Sequence, residues 1–244
     1  MKNSIENNLR VWDSEYHWSH DGDEWDGQAR VCGQPYDAWK RSVVETFLVP
    51  NLAASSRVLE IGPGHGRWSK EIVDRCGELI LVDLSPSCLE HCRELFKGRK
   101  DVSYQVTDGA SLPNVASESI DFLWSYDVFV HMEPGVVASY LTEAQRVLKP
   151  DGRAIVHHAG RRGALLPLRF LRRFGQAGTA LYDRLSLGPT ASDGGWRSDV
   201  SRSLFQRLAK RSGLKVDEQI DRWGPSGEFG VPRYRDAVTL LSKP

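Results

Sequence analysis

The chain has 244 residues, 40% hydrophobic and 26% charged, which favours one large α/β domain with a complete core over two separate domains. Its 32 Lys and Arg residues equal its 32 Asp and Glu residues, so the whole chain lacks the single-sign field that binds nucleic acid or an anionic membrane. No apolar stretch approaches the roughly 20 residues of a membrane span, and no signal-peptide region is recognisable, so we expect a cytoplasmic protein. The cysteines show no CxxC spacing, and we expect them to be reduced.

The first fifty residues differ from the rest because they are crowded with tryptophan and carry an acidic run. Apolar residues recur at helical spacing over residues 35–47, which predicts a helix with one face against the domain that follows. We interpret residues 1–50 as a helical cap over a ligand cleft. The alternative, a solvated turn beside a helix whose tryptophans belong to the core, stays open. The acidic run comprises Asp21, Asp23, Glu24 and Asp26.

Residues 51–244 show short apolar strands alternating with helices, which is typical of βαβ units in a parallel sheet. The pattern predicts strands at 58–61, 79–82, 102–106, 120–125 and 153–158, and helices at 68–73, 85–96 and 136–148. Residues 160–197 interrupt this alternation with an arginine-rich stretch, which we interpret as an insertion that shapes the acceptor site. A helix over 199–212 and strands over 214–223 and 235–241 predict a closing antiparallel pair joined by a long loop.

The strongest motif is a strand that runs directly into a glycine-rich turn, VLEIGPGHG at residues 58–66. Glycines at 62, 64 and 66 allow the backbone to turn tightly and to approach a nucleotide-like ligand. Arg67 stands where a dinucleotide-binding turn has its third glycine, which disfavours an NAD-dependent oxidoreductase. Glu60 is placed to attract a cationic group such as the amino-acid end of S-adenosylmethionine, and it would repel a pyrophosphate.

Carboxylates also follow the second and third predicted strands. Asp83 can accept bonds from both hydroxyls of a ribose, and Asp108 can accept a bond from an adenine amino group.

The segments EIGPGHG, LVDLS, VTDGASLP, SIDFLWSYDVFVHM and VLKPDGR resemble the ordered motif series of class I S-adenosylmethionine-dependent methyltransferases over residues 57–158. This resemblance implies a Rossmann-like α/β fold with a mostly parallel seven-stranded sheet, helices on both faces and a final antiparallel hairpin. It also implies S-adenosyl-L-methionine as cofactor, with Gly62 and Gly64 beside its methionine part, Asp83 on the ribose and Asp108 beside the adenine. The candidate cofactor-binding residues are Trp25, Tyr36, Trp39, Glu60, Gly62, Gly64, Asp83, Leu84, Asp108, Gly109 and Tyr126.

Methyl transfer from a sulfonium is an in-line displacement, so the protein aligns the acceptor and removes a proton from a hydroxyl acceptor. The candidate catalytic residues, at the carboxyl ends of the fourth and fifth strands, are Tyr126, Asp127, His131, His157 and His158. Neighbouring strand residues point to opposite faces, so at most one of His157 and His158 faces the ligand, and we favour His158. Each histidine can equally have a structural role.

A divalent cation such as Mg2+, held by Asp127 and a histidine, is an alternative way to activate the acceptor. We predict no metal site, because the sequence shows no compact ligand spacing.

The acceptor is expected to be a small molecule. Aromatic surfaces flanked by charges suit carbohydrate rings, and the chain is similar to bacterial sugar and polysaccharide O-methyltransferases of the methylmannose-polysaccharide type. We therefore expect O-methylation of a saccharide by a histidine base, and we include a homodimer among the expected assemblies. The alternatives are O- or N-methylation of another small metabolite and a non-catalytic sensor of S-adenosylmethionine. Candidate acceptor residues are Trp196, Arg197, Trp223, Glu228 and Tyr234.

Overall fold

The computed structural model describes residues 3–19, 22–23, 25–188 and 197–244. Three residues named above, Asp21, Glu24 and Trp196, lie outside these ranges. The strands are β1 (Arg57–Ile61), β2 (Glu78–Asp83), β3 (Val102–Val106), β4 (Ile120–Ser125), β5 (Leu148–His158), β6 (Lys215–Ile220), β7 (Arg222–Trp223), β8 (Phe229–Gly230) and β9 (Ala237–Ser242).

Seven strands form one sheet in the order β3-β2-β1-β4-β5-β9-β6. The first five in this order pair in parallel, and β9 runs antiparallel to both β5 and β6. The chain order reverses between β1 and β4, which creates a crevice at the carboxyl ends of these strands. The structure confirms the predicted fold class, a mostly parallel Rossmann-like sheet with final antiparallel strands.

Helices cover both faces of the sheet. The α-helices are α1 (Ile5–Arg10), α2 (Gly27–Cys32), α3 (Tyr36–Val43), α4 (Ser69–Ile72), α5 (Pro86–Leu95), α6 (Pro134–Val147), α7 (Gly175–Leu187) and α8 (Arg202–Arg211). The π-helical segments are Val11–Glu15 and Val44–Leu48, and 3-10 segments include Phe129–His131 and Gly163–Phe174.

Alternate strand residues build two cores. Val58 packs with Trp39 of α3 on one face, whereas Leu59 packs with Tyr140 of α6 and Phe205 of α8 on the other. This alternation follows from the period of two along a strand, and it makes both faces of the central strands apolar.

The structure differs from the sequence prediction near the C-terminus. The strand predicted over residues 214–223 divides, because β6 ends at Ile220 and Trp223 pairs with Phe229 in the separate β7–β8 hairpin. The Trp223 indole is buried against Phe47 and donates to Ser42 Oγ at 2.9 Å. Burial of this ring on the α3 side of the sheet therefore outweighs continuation of the strand. Within the described residues, no helix combines the length and the apolar character that crossing a membrane requires.

Candidate active site

The glycine-rich turn after β1 brings bare backbone to the carboxyl end of the sheet. Gly62 and Gly64 have φ angles of +72° and +54°, a region that side-chain-bearing residues rarely adopt. A Cβ at Gly62 would come within 2.4 Å of Val128, and one at Gly64 within 2.7 Å of the Trp18 ring. Both conformation and space therefore require glycine at these positions.

Asp83 lies at the end of β2, beside this turn. One of its carboxylate oxygens accepts from the Gly64 N–H at 3.2 Å, and the other accepts from the Ser85 N–H at 2.9 Å. Enclosure raises the pKa of Asp83 to about 6, although these backbone bonds oppose the shift. A carboxylate held in this way keeps lone pairs for further donors.

A cavity of about 350 Å³ extends from this turn across the carboxyl ends of the strands, and this volume is typical of a small-molecule site. At one end its lining includes Gly62, Gly64, Asp83, Leu84 and Gly109, which we call the turn end. The turn end offers what an adenosyl group with an amino-acid tail needs: an acceptor for ribose hydroxyls, approachable backbone and an apolar wall. The residues present therefore fit the cofactor that the sequence implies.

The described part of the N-terminal segment covers the cavity. Trp12, Trp18 and Trp25 are in its lining, and the Trp18 ring stacks on His65 of the glycine turn at 4.5 Å. The Asp13 carboxylate accepts from Ser85 Oγ at 2.8 Å and from the Ser87 N–H at 3.0 Å. These contacts connect the segment directly to the loop that follows Asp83.

Two expected cofactor residues with carboxylates lie outside this lining. Glu60 is buried and accepts from Ser69 Oγ at 2.6 Å, and its burial raises its pKa to about 8. Asp108 closes its own turn, since one oxygen accepts from the Ala110 and Ser111 N–H groups at 2.9 and 2.8 Å. In this geometry both carboxylates stabilise local structure.

Two expected aromatic residues, Tyr36 and Trp39, also lie outside the lining. The Tyr36 hydroxyl donates to Asp23 at 2.7 Å. Trp39 is fully buried, and its indole donates to the Gly230 carbonyl at 2.8 Å. Trp25 is therefore the member of this expected trio that reaches the cavity.

A buried arginine and its partner Asp127 form a second part of the cavity lining, which we call the other end. Arg67, whose side chain is only 5% exposed, contacts the Asp127 carboxylate at 2.8 Å and donates to the Tyr36 hydroxyl at 3.0 Å. Its guanidinium also lies 4.7 Å from the centre of the Trp68 ring, within range of a cation–π interaction. The sequence singled out Arg67 only as an obstacle to a dinucleotide, whereas the structure makes it part of the site.

Asp127 and His157 continue this network of charges. The Asp127 carboxylate lies 3.1 Å from His157 Nδ1, and Asp127 has a φ of +64°, a strained conformation for a residue with a side chain. Burial acts to raise the pKa of Asp127, but His157 and Arg67 outweigh it and hold the pKa well below its usual range. Asp127 is therefore an ionised acceptor and a weak base.

His157 is enclosed between two carboxylates. Its Nε2 lies 3.4 Å from Asp236, and its ring stacks on Tyr126 at 4.3 Å. Burial acts to lower its pKa, but Asp127 and Asp236 outweigh that effect and raise it. Asp236 in turn contacts Arg197 at 3.1 Å. The resulting network, which we call the buried relay, comprises Arg67, Asp127, His157, Asp236 and Arg197.

The three candidate histidines occupy three different environments. His131 is in the cavity lining, whereas His157 lies behind Tyr126 and Asp127. His158, which the sequence analysis favoured, is fully buried with Nδ1 2.7 Å from the Ala159 carbonyl and Nε2 2.7 Å from Thr239 Oγ1. Its ring stacks on Phe205, and burial lowers its pKa to about 3. His158 is therefore enclosed between the sheet and α8, and it is not part of the cavity lining.

Some of the remaining acceptor candidates line the cavity, whereas others lie outside it. Arg197 and Tyr234 are in the lining together with Arg233, which the sequence analysis missed, and both guanidinium groups lie over the Tyr234 ring at 4.3 and 4.8 Å. Trp223 is in the core, and Glu228 accepts from Ser226 in its own loop. The sequence signal for Arg233 was its position directly before Tyr234, which the sequence analysis named as an acceptor candidate.

The described residues contain no group of three His, Cys, Asp or Glu side chains arranged to hold a metal ion. The carboxylate of Asp127, the expected ligand, is engaged by Arg67 and His157 instead. The geometry gives no support to an Mg2+-assisted reaction.

Part of the sequence matches a known protein family. Residues 58–152 match the family model described as a methyltransferase domain. The demethylmenaquinone methyltransferase of Tropheryma whipplei is 27% identical over 118 residues, which are 48% of this chain and 46% of that protein. The chain thus spans about half the length of this relative.

Two solved structures share the fold. A chain from the complex between the Trm112 methyltransferase activator of Haloferax volcanii and a methyltransferase is similar over 99% of this chain and 98% of that one, with a TM-score of 0.62 and 17% identity. Phosphoethanolamine N-methyltransferase 1 of Haemonchus contortus, in complex with phosphoethanolamine and S-adenosylhomocysteine, is similar over 98% of this chain and 48% of that one. Its TM-score is 0.65 and its identity 16%.

Proposed function

We propose that this chain, which carries a methyltransferase domain of the class I type over residues 58–152, binds S-adenosylmethionine at the turn end of the cavity and methylates a small acceptor. The observation that carries the proposal is Asp83, an enclosed carboxylate beside a glycine turn in the lining of one cavity. Its free lone pairs would accept hydrogen bonds from the ribose hydroxyls of the cofactor, and Leu84 and Gly109 would line the adenine. The cofactor supplies a methyl group activated on a sulfonium.

We place the acceptor at the other end of the cavity, beside Asp127. His131 is also in the lining, and its ring lies 5.3 Å from that of Trp12. Asp127 accepts a hydrogen bond from the acceptor and so orients it, and Arg67 and His157 keep that carboxylate ionised. For a hydroxyl acceptor, we assign His131 as the general base because it is the candidate histidine in the lining. His157 is a positioning residue that holds Asp127.

As the sequence analysis expects, we propose a saccharide hydroxyl as the acceptor. Supporting this, the aromatic residues Trp12, Trp25 and Tyr234 and the arginines Arg197 and Arg233 are in the cavity lining. Flat rings beside several donors suit a molecule with apolar C–H faces and hydroxyl groups.

A second candidate is O- or N-methylation of another small metabolite that carries an acidic group. Arg197 and Arg233 lie together over Tyr234, and this pair favours a carboxylate or a phosphate on the acceptor. The structural neighbour from Haemonchus contortus is in complex with phosphoethanolamine, a small molecule that carries a phosphate. A uronic acid or a sugar phosphate would satisfy both candidates.

The first test is calorimetric titration of the purified protein with S-adenosylmethionine and, separately, with NAD. We expect binding of S-adenosylmethionine alone. The complex is then assayed for methyl transfer to neutral sugars, uronic acids, sugar phosphates and phosphoethanolamine, with and without Mg2+. Binding of NAD alone contradicts the proposal, and binding of S-adenosylmethionine without turnover of any acceptor favours a sensor.

The role of His131 is tested in the same assay with His131→Gln. Loss of a general base lowers kcat by about 100-fold or more, while the affinity for S-adenosylmethionine changes little. His17→Gln, at an exposed position of the cap, is the matched control. Full turnover by His131→Gln, or an equal loss in His17→Gln, overturns the assignment.

A further inference from the structure

The first part of the insertion, residues 160–188, exposes charged side chains of one sign. Residues 160–188 contain six arginines and a single acidic residue, Asp183, in a chain whose formal net charge is zero. Asp183 is buried and contacts Arg161 and Arg172 at 3.4 and 2.9 Å. The exposed charged side chains of this segment are therefore all positive. They are Arg162, Arg169, Arg173 and Arg184.

The same surface exposes large apolar side chains. Phe170, Phe174, Leu181 and Leu185 are 51%, 69%, 50% and 40% exposed, and they are half of the eight exposed large hydrophobic residues in the described chain. Apolar groups concentrated in this way mark an interaction site more often than scattered ones do.

The helix geometry brings the four apolar side chains together. The rings of Phe170 and Phe174 are 6.4 Å apart, and Leu181 and Leu185 are one turn apart on α7. Gly178 lies on the same stripe of α7 as these leucines, and a Cβ there would come within 2.9 Å of the Phe174 Cβ. Phe174 therefore packs over the start of the α7 stripe that carries the two leucines, and we call the four exposed side chains the Phe–Leu ridge.

The ridge is fixed to the wall of the cavity. Arg161 is fully buried and contacts Asp199 at 2.7 Å, and Arg169 contacts the same carboxylate at 2.9 Å. Next to Asp199, the Ser198 hydroxyl donates to the Met132 carbonyl and the Ser198 N–H to the Val130 carbonyl. Met132 is itself in the cavity lining, so the insertion and the site form one connected unit.

We propose that the Phe–Leu ridge and its arginines dock this protein on an anionic lipid surface. Side chains such as Phe and Leu enter the boundary between headgroups and acyl chains, while arginines beside them contact anionic headgroups. Single-stranded RNA is a poorer fit, because aliphatic Leu181 and Leu185 can neither stack on bases as aromatic rings do nor donate hydrogen bonds. Because the total charge of the chain is balanced, its composition gives no sign of this basic surface. The proposal does not depend on methyl transfer.

The test is sedimentation of the full chain with phosphatidylcholine vesicles, with or without phosphatidylglycerol. We expect binding at least about tenfold stronger to the anionic vesicles, and weaker binding as salt is added. Equal binding to both kinds of vesicle, or to neither, overturns the proposal. Binding of RNA without binding of anionic vesicles overturns it as well.

Two double variants test separately the contribution of the arginines and that of the apolar side chains. Arg173→Glu with Arg184→Glu reverses two charges, and Phe174→Ser with Leu181→Ser removes half of the ridge. Each lowers binding to anionic vesicles by about tenfold or more. The matched controls change exposed residues elsewhere, Arg41→Glu with Lys100→Glu and Val49→Ser with Val106→Ser. Equal losses in variants and controls contradict a localised docking surface.

Discussion

The two ends of the cavity are built in different ways. The turn end is made mainly of backbone and one carboxylate, from residues at or soon after the carboxyl ends of β1, β2 and β3. The other end depends on the buried relay, whose members come from five separate parts of the chain. Local backbone geometry determines the first end, and long-range pairing of charges determines the second. The following predictions test this contrast, beginning with the largest expected effect.

Arg67→Met removes one end of the buried relay. Asp127 then keeps His157 but loses its buried cation, and breaking a buried pair in this way costs about 3–5 kcal/mol of the free energy of unfolding. Denaturant unfolding measures this loss. Arg41→Met, at an exposed position of α3, is the control, and we expect a change within about 0.5 kcal/mol. Equal stability of the two variants would show that the relay contributes nothing to the fold.

Asp83→Ala tests the turn end through cofactor binding. Two charge-assisted hydrogen bonds to the ribose are lost, so we expect affinity for S-adenosylmethionine to fall by about 100-fold or more in calorimetry. Asp108→Ala is the informative comparison, because the Asp108 carboxylate is occupied by its own turn. Its loss should be less than about tenfold. A larger effect from Asp108 than from Asp83 contradicts the assignment of the turn end.

The pH dependence of binding also depends on Asp83. Its pKa is raised to about 6 by enclosure, and the ionised form is the better acceptor for ribose hydroxyls. Affinity is therefore constant above about pH 7 and decreases toward tenfold per pH unit below about pH 6. The titratable groups of the cofactor affect the wild type and Asp83→Asn alike. The ratio of the two affinities therefore reports the titration of Asp83 alone. A ratio that does not change between pH 5 and pH 8, values chosen to bracket a pKa of about 6, refutes the prediction.

The same shift has a stability consequence with a defined sign. The pKa of Asp83 is higher in the fold than the roughly 3.9 of an unfolded chain, so its contribution favours the fold below about pH 4. That contribution is lost as the pH rises through about 6. Asp83→Asn removes this dependence from the unliganded protein.

Much of the turn end could be predicted from the sequence, because the determinants are consecutive. A strand, three glycines and an aspartate at the end of the next strand specify the position of Gly62, Gly64 and Asp83 without any knowledge of distant contacts. Glu60 and Asp108 show the limit of the same reasoning. Glu60 lies in β1 and Asp108 follows β3, as the pattern predicts, but Ser69 and the turn at residues 108–111 engage their carboxylates.

The other end could not be predicted, because its chemistry depends on which long-range partner each side chain meets. His157 and His158 are adjacent, and strand alternation correctly predicts that they face opposite sides of β5. It does not say which side holds Asp127 and Asp236, and which holds Phe205 and Thr239. Strand alternation alone therefore provides no basis for preferring His158 over His157.

The smallest expected effect concerns the cover of the turn end. Asp13→Asn keeps the shape of the contacts to Ser85 and Ser87 but weakens them, because the side chain loses its charge at the start of α5. We expect about two- to threefold weaker binding of S-adenosylmethionine, mostly through faster dissociation, since most affinity changes of this kind affect the off-rate. Stopped-flow fluorescence of the nearby tryptophans measures both rates. Glu15→Gln, whose carboxylate pairs with Arg10 on the exposed surface, is the matched control and should leave them unchanged. A slower association with unchanged dissociation would instead show that Asp13 guides entry of the cofactor and does not retain it.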